Sequence, residues 1–169
     1  DAVADFFDDL ARFDPMLWFR ECAGCAYGDA GLSVSGDSML VRSASAFSDL
    51  TRVSAALTKS STCDDHGVVL STNAEAAWAW GSTANTARFV WNCNAKFLYS
   101  QTTSASAVCS TNRRYAIDIV VQPTQLVFLD DYCGTLYAAD TLGTTARAAG
   151  GLYLYIGADS DTSAAVWHD

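Results

Sequence analysis

The chain has 169 residues, half of them apolar, which is enough for one sizeable core and predicts a single domain over residues 1–169. Its 19 acidic and 10 basic residues give a net charge of −9, so it lacks the basic surface that binding to nucleic acid requires. No stretch approaches the roughly 20 apolar residues that a membrane-spanning helix needs, and we expect no membrane span.

The first predicted element is a helix. Val3, Phe6, Phe7 and Leu10 recur at helical spacing, so residues 2–12 predict a short amphipathic helix that packs on the core. After the first thirty residues the apolar pattern repeats every second residue, which is typical of β-strands. The predicted strands are residues 32–34, 39–42, 52–57, 68–71, 76–80, 87–91, 97–99, 115–121, 126–129 and 152–156. Short strands in one domain predict an all-β fold, a two-sheet antiparallel β-sandwich or jelly roll.

The cysteines predict the compartment. There are six, an even number, and the sequence has no second CxxC that would complete a four-cysteine zinc site. Its two histidines, His66 and His168, are far apart in sequence. We therefore expect disulfides and a secreted, extracellular or cell-surface location.

Fifteen pairings of six cysteines are formally possible, and the sequence alone does not choose among them. One hypothesis pairs cysteines that follow each other in the sequence, Cys22–Cys25 and Cys93–Cys109. It also pairs the two cysteines that lie beside paired aspartates, Cys63–Cys133. The alternative for Cys22 and Cys25 is a redox role, but the sequence around them does not have the βαβ pattern of thioredoxin-like proteins.

Several segments share their pattern with a known superfamily. They are FFDD at 6–9, FDPMLW at 13–18, CAGC at 22–25, VSGDSML at 34–40, YAIDIVV at 115–121, LVFLDD at 126–131 and LYLYIGAD at 152–159. In this order they resemble the concanavalin A-like lectin/glucanase jelly rolls, which include laminin G-like modules and family-sixteen glycoside hydrolases. The resemblance covers most of the chain and implies two curved antiparallel sheets, with glycans as the usual ligand on the concave face.

The sequence departs from this superfamily in its catalytic motif. A retaining glycosidase needs two carboxyl groups about 5 Å apart, which the resemblance would supply from a Glu-x-Asp-x-x-Glu strand. The chain has only Glu21 and Glu75, and the corresponding strand reads RFVWNC at 88–93. Its aspartate pairs are sequence neighbours, whose side chains point to opposite faces of an extended chain. We expect no enzymatic activity.

Aromatic and amide side chains suggest a glycan site. Sugars present apolar C–H faces, so their sites combine aromatic platforms with a few polar groups. Trp78 and Trp80 are two residues apart and face the same way in a strand. The candidate contacts for a polysaccharide or a glycoprotein glycan are Trp78, Trp80, Asn85, Trp91, Asn92 and Tyr99. The alternative is that these rings fill the core between the sheets.

Acidic loops suggest a calcium site. Calcium takes six to eight oxygen ligands, and six aspartates lie near the ends of predicted strands, where loops could converge: Asp64, Asp65, Asp130, Asp131, Asp159 and Asp161. Against this, the chain has no EF-hand run, and aspartate is common in turns because it hydrogen-bonds its own backbone.

Two functions follow from these features. The first is a secreted, disulfide-stabilised, non-catalytic, lectin-like module that binds carbohydrate. The second is a structural subunit of an extracellular fibre, appendage or matrix, which would associate with copies of itself or with other matrix proteins.

Overall fold

The computed structural model describes residues 8, 10–19, 25–59, 66–74, 85–91, 94–99, 102–108, 114–130, 134–139 and 142–168, some of them by their backbone alone. The described chain is mostly β-strand. Its strands are β1 (Cys25–Gly28), β2 (Gly31–Arg42), β3 (Arg52–Lys59), β4 (His66–Ser71), β5 (Thr86–Trp91), β6 (Asn94–Tyr99), β7 (Thr102–Val108), β8 (Arg114–Val121), β9 (Gln125–Asp130), β10 (Gly134–Ala139) and, after helix α1 (Leu142–Ala149), β11 (Tyr153–His168). No helix in this part of the chain has the length and apolarity to cross a bilayer.

The strands form two antiparallel sheets that share β2 and β11. Sheet I has the order β10–β9–β8–β3–β11–β2–β1, and sheet II has the order β7–β6–β5–β4–β11–β2. Residues 153–158 of β11 pair with β4, whereas residues 165–168 pair with β3. The pairing of β11 with β2 shifts register on either side of Ser160. The two long strands therefore pass from one sheet to the other and hold the two layers together.

The core lies between the sheets. The ring of Phe89 in β5 stacks on that of Phe128 in β9, with centroids 4.8 Å apart and planes at 17°. Trp91 meets Phe89 edge-on at 4.6 Å and lies 6.2 Å from Trp167 of β11. These four side chains are each 1% exposed or less. Aromatic contacts from both layers thus confirm the predicted β-sandwich.

The strand predictions succeeded where large apolar residues alternate. The segments predicted at 32–34 and 39–42 belong to one strand, β2, and the strand predicted at 76–80 lies outside the described residues. Strands β1, β7 and β10 were not predicted. The sequence of β7, TTSASAV, has the composition of a loop and becomes a strand by pairing with β6.

The predicted N-terminal helix is wrong over its described part. Leu10 has a φ of 57°, in the left-handed region, and residues 8, 11 and 12 are not helical. The carboxylate of Asp8 instead accepts hydrogen bonds from the backbone N–H of Leu10 at 3.0 Å and from the indole Nε1–H of Trp18. These side-chain bonds offer the backbone an alternative to helical hydrogen bonding. The rest of the predicted helix lies outside the described residues.

Candidate functional site

The outer faces of the two sheets differ in exposure. On sheet I, outward-facing residues such as Arg52 and Thr58 are exposed. On sheet II, every residue of β4 and β5 is buried, including those that point away from the core. Val69, Val90 and Tyr155 lie on that outer side and form an apolar cluster separate from the main core. Sheet II therefore buries side chains on both of its faces.

Two arginines flank this outer cluster. Arg42 of β2 lies opposite Tyr155, Tyr155 lies opposite Val69, and Val69 lies opposite Arg88 of β5. Arg42 is 8% exposed and Arg88 is 3% exposed. Because neighbouring strands are about 4.8 Å apart, this row of four residues spans about 14 Å. Buried cationic groups on one face of a sheet are uncommon, since burial of a charge is costly unless other groups compensate it.

Aromatic rings compensate the cost of burying the charge of Arg42. Its Cζ lies 4.1 Å from the ring centroid of Phe19 and 4.6 Å from that of Tyr153. Its Nη1 donates a hydrogen bond of 3.1 Å to the carbonyl oxygen of Ser43. Phe19 is 49% exposed and Tyr153 is partly exposed. We call Phe19, Arg42 and Tyr153 the aromatic–arginine cluster; two of its three side chains reach solvent on the outer side of sheet II.

Phe19 reaches this cluster because its segment is bonded to the end of β2. The backbone N–H of Phe19 donates to the carbonyl oxygen of Arg42 at 2.8 Å, and that of Ala44 donates to Leu17 at 2.7 Å. Between them, Trp18 forms an isolated β-bridge with Ser43 and is 2% exposed. Trp18 thus packs into the core while the next residue, Phe19, points to the opposite side.

Polar groups continue along the same edge of the face. The hydroxyl of Tyr155 donates a hydrogen bond of 2.5 Å to the carbonyl oxygen of Asn73. The hydroxyls of Ser71 and Thr86 lie 2.7 Å apart, and Ser71 Oγ accepts the N–H of Asn73 at 3.0 Å. Ser71 and Thr86 are 0% exposed, whereas Asn73 is exposed. The loop that follows β4 is therefore tied to the outer face beside Tyr153.

The outer face of sheet I carries a different polar group. Arg52 donates to the carboxylate of Asp118 from Nε at 3.1 Å and from Nη2 at 2.6 Å, and Ser54 Oγ also donates to it. The hydrogen bond from Arg52 lowers the pKa of Asp118, and the reciprocal bond raises the pKa of Arg52. This is a bidentate surface ion pair across β3 and β8, with its hydrogen bonds already satisfied.

No protein-family model matches the chain, and no curated protein matches it. Solved structures do. The carbohydrate-binding module CBM66 from Bacillus subtilis aligns with a TM-score of 0.61 at 12% identity, covering 86% of this chain and 88% of that chain. The exoplasmic/lumenal domain of VIP36, in its Ca2+/Man3GlcNAc-bound form, aligns with 0.63 at 7%, covering 90% and 83%. The Crh5 transglycosylase in complex with NAG aligns with 0.63 at 10%, covering 95% and 80%.

The chain has the concanavalin A-like lectin/glucanase fold. The resemblance drawn from the sequence is thereby confirmed. Binding proteins and enzymes both occur among these structures, and at such low identity the likeness extends to the fold alone. The residues of this chain must therefore carry the argument about its activity.

Within this concanavalin-like fold, Trp91 is a core residue. It is 1% exposed and its ring is enclosed by Phe89 and Trp167. The prediction that Trp91 contacts a glycan is wrong, because its side chain points between the sheets. Its alternative role, filling the core, is the one observed.

The other predicted glycan contacts stay predictions. Asn85 has a φ of 62° at the start of β5, a conformation that asparagine tolerates, and its carbonyl oxygen accepts the N–H of Thr72 at 3.4 Å. Tyr99 is the last residue of β6 and is described by its backbone alone. Trp78, Trp80 and Asn92 lie outside the described residues.

The aspartates predicted to bind calcium are only partly described. Asp159 and Asp161 lie within β11, not in a loop after a strand, which corrects their predicted position. Asp130 ends β9, and Asp64, Asp65 and Asp131 lie outside the described residues. Across the part of the chain that is described, no three His, Cys, Asp or Glu side chains are grouped to hold a metal ion. The calcium site stays a prediction.

Cys25 is disulfide-bonded. The other five cysteines, Cys22, Cys63, Cys93, Cys109 and Cys133, lie outside the described residues, so the three predicted pairings stay a hypothesis.

Sequence reasoning missed the aromatic–arginine cluster. The alternation of Tyr153 and Tyr155 in β11 does signal two aromatic rings on one face. Phe19 has no such signal, because its position depends on hydrogen bonds to β2 and not on a local repeat. Arg42 ends an apolar strand, where a charged residue normally marks an exposed end.

Proposed function

We propose that this protein is a non-catalytic carbohydrate-binding module that holds a glycan over the aromatic–arginine cluster of sheet II. The observation that carries the proposal is that Phe19 and Tyr153, partly exposed, flank the buried guanidinium of Arg42 on one sheet face. Aromatic rings can stack on the C–H faces of a sugar, while fixed polar groups orient its hydroxyls. Structural neighbours whose names include a carbohydrate-binding module and a mannose-containing complex support this reading.

The sequence supports a non-catalytic role. Hydrolysis with retention needs a nucleophile and an acid/base, normally two carboxyl groups. The outward-facing residues of β5 are Thr86, Arg88 and Val90, in the segment where the glycosidase motif of this superfamily would place acids. The chain's two glutamates, Glu21 and Glu75, do not form that motif.

Secretion, or display at a cell surface, is part of the same proposal. Its support is the even number of cysteines together with the disulfide at Cys25, because such bonds persist in oxidising compartments. Mass spectrometry of the unreduced protein after thiol alkylation tests this part. Six unmodified cysteines would support it, and alkylation of several cysteines in the native protein would contradict it.

The binding proposal is tested by a glycan array, with and without calcium, followed by titration of the best ligand. Phe19→Ala should weaken binding about fivefold, which corresponds to the loss of about 1 kcal/mol of ring stacking. Leu129→Ala is the matched control, since Leu129 is 41% exposed on the outer face of sheet I. Equal effects of the two variants, or no glycan bound, would overturn the proposed site.

A structural subunit is the second candidate. The observation that favours it is the pair of exposed apolar residues Met16 and Phe19, 83% and 49% exposed, on one short segment. Exposed apolar patches often mark contacts between proteins. Light scattering on the same sample separates the candidates: ordered assemblies without glycan, disrupted by Met16→Ser, would favour the structural role. A monomer that binds glycan would favour the first.

A further inference from the structure

Arg42 is a buried cation with few polar partners. Among the described residues its hydrogen bond is to the carbonyl oxygen of Ser43, and no described carboxylate lies within ion-pair distance of it. A guanidinium has five N–H donors and stays charged at any physiological pH. Arg42 as a whole is 8% exposed, so little of its side chain contacts water.

The two ring contacts of Arg42 are made near the central carbon of its guanidinium. Phe19 and Tyr153 lie 4.1 and 4.6 Å from Cζ and stabilise the charge through the cation–π effect. The N–H groups point outward in the guanidinium plane, as a rigid fork that matches the two oxygens of a carboxylate or sulfate. The rings thus hold the fork in place before any ligand binds, which reduces the entropy lost on binding.

The fork also lies where a ligand would arrive. Phe19 and Tyr153 are the partly exposed members of the cluster, and Arg42 lies against both. A sugar stacked on either ring would place its substituents beside the arginine. Arg88 occupies the same row of the sheet, on the far side of Tyr155 and Val69.

We propose that Arg42 makes this site selective for acidic sugars, those that carry a carboxylate or a sulfate group. The inference rests on the proposed carbohydrate-binding function and names its ligand class. An anion would accept hydrogen bonds from the remaining donors of Arg42 and offset the cost of burying most of its side chain, whereas a neutral hydroxyl offers a weaker acceptor.

The charge of the whole chain makes this selectivity informative. With a net charge of −9, the protein repels polyanions at long range. Non-specific attraction, which accounts for much of the binding of acidic polymers to basic proteins, is therefore absent. Binding of an acidic glycan would report a local group of opposite charge.

The test compares acidic and neutral polymers with matched backbones. Polygalacturonate is compared with its carboxyl-reduced product, and dextran sulfate with dextran, by calorimetry on the unreduced protein. We expect at least one acidic polymer to bind tenfold or more tightly than its neutral match. The pair that shows the difference identifies carboxylate or sulfate as the recognised group.

Variants assign the effect to Arg42. Arg42→Lys keeps the charge and the aliphatic stem but loses the planar fork, so we expect the acidic preference to fall about tenfold. Arg114→Lys is the control, because Arg114 is exposed at the start of β8 on the other sheet and the same replacement there also keeps the charge. An acidic preference that survives in Arg42→Lys, or falls equally in Arg114→Lys, would overturn the role of Arg42.

The wild-type comparison keeps the proposal falsifiable if Arg42→Lys fails to fold. Equal binding of acidic and neutral polymers, or binding of neutral array glycans alone, overturns the acidic-sugar inference and leaves the carbohydrate-binding proposal standing. Failure to bind any glycan, acidic or neutral, overturns both.

Discussion

Replacing Trp91 by alanine should destabilise the fold without affecting the proposed glycan site. The side chain is 1% exposed and meets Phe89 at 4.6 Å and Trp167 at 6.2 Å, so its removal opens a cavity bounded by both sheets. Truncation of a buried tryptophan costs about 3–5 kcal/mol of unfolding free energy, from lost transfer energy and from the cavity. For a domain of this size each kcal/mol corresponds to about 2–4 °C, so Tm should fall by about 6–20 °C.

The assay is thermal unfolding of the unreduced protein, followed by near-ultraviolet circular dichroism and by calorimetry. The matched control is Leu129→Ala, since Leu129 is 41% exposed and its neighbour Phe128 is the residue that faces the core. Surface truncations away from special contacts change stability by about 0.5 kcal/mol or less. Glycan affinity is then measured at a temperature where the Trp91→Ala protein is folded, and should equal that of the wild type.

One result would refute this reasoning. If Trp91→Ala lowered Tm no more than Leu129→Ala does, yet abolished glycan binding, Trp91 would lie at a ligand surface and not between the sheets. The assignment of the two faces of β5 would then be reversed, and with it the placement of Arg88 on the outer face.

Two further predictions concern the backbone and the surface charge. Gly151→Ala should destabilise the protein more than Gly150→Ala: both glycines have positive φ, but a Cβ at Gly151 would lie 2.6 Å from the carbonyl oxygen of Phe47 and one at Gly150 would meet nothing within 4 Å. Denaturant midpoints of the two variants check this, and equal midpoints would contradict it. Asp118→Asn should lower Tm slightly at pH 7. The Tm difference should shrink progressively as the pH falls below the unfolded pKa of about 3.9, because Arg52 lowers the pKa of Asp118 in the folded protein and this contribution is lost as the pH falls through the folded pKa. A Tm difference independent of pH would show that the pair does not act through charge.

The sandwich was predictable wherever alternation involves large side chains. Strands β3, β5, β8 and β9 each present apolar residues at every second position, and burial of that face determines both the strand and its register. The second half of β11 was not predictable, because residues 157–165 contain Gly, Asp, Ser and Ala without such a pattern. That segment pairs with β2 at Ser160 and again from Ala165, with a register shift between them, so its place in the sheet depends on a strand distant in sequence.

The proposed glycan site also has some features that the sequence shows and others that it does not. Aromatic residues and an absent acid pair can be counted in the sequence, and they point to binding without catalysis. The sequence does not show which aromatic rings are accessible. Trp91 lies in the core, while Phe19, outside any alternating run, is half exposed. Exposure depends on which face of which sheet a residue occupies, and that requires the register of strands distant in sequence.

The sequence by itself therefore determined the all-β class, because period-two alternation and short turn-bounded runs are local properties of the chain. Only the tertiary structure decided that Arg42, Phe19 and Tyr153 share one place. They come from the end of β2, the segment before β1 and the start of β11, and backbone hydrogen bonds between those distant segments bring them together. A contact between residues so far apart in sequence leaves no periodic signal in either segment, so the cluster exists only once the sheets have formed.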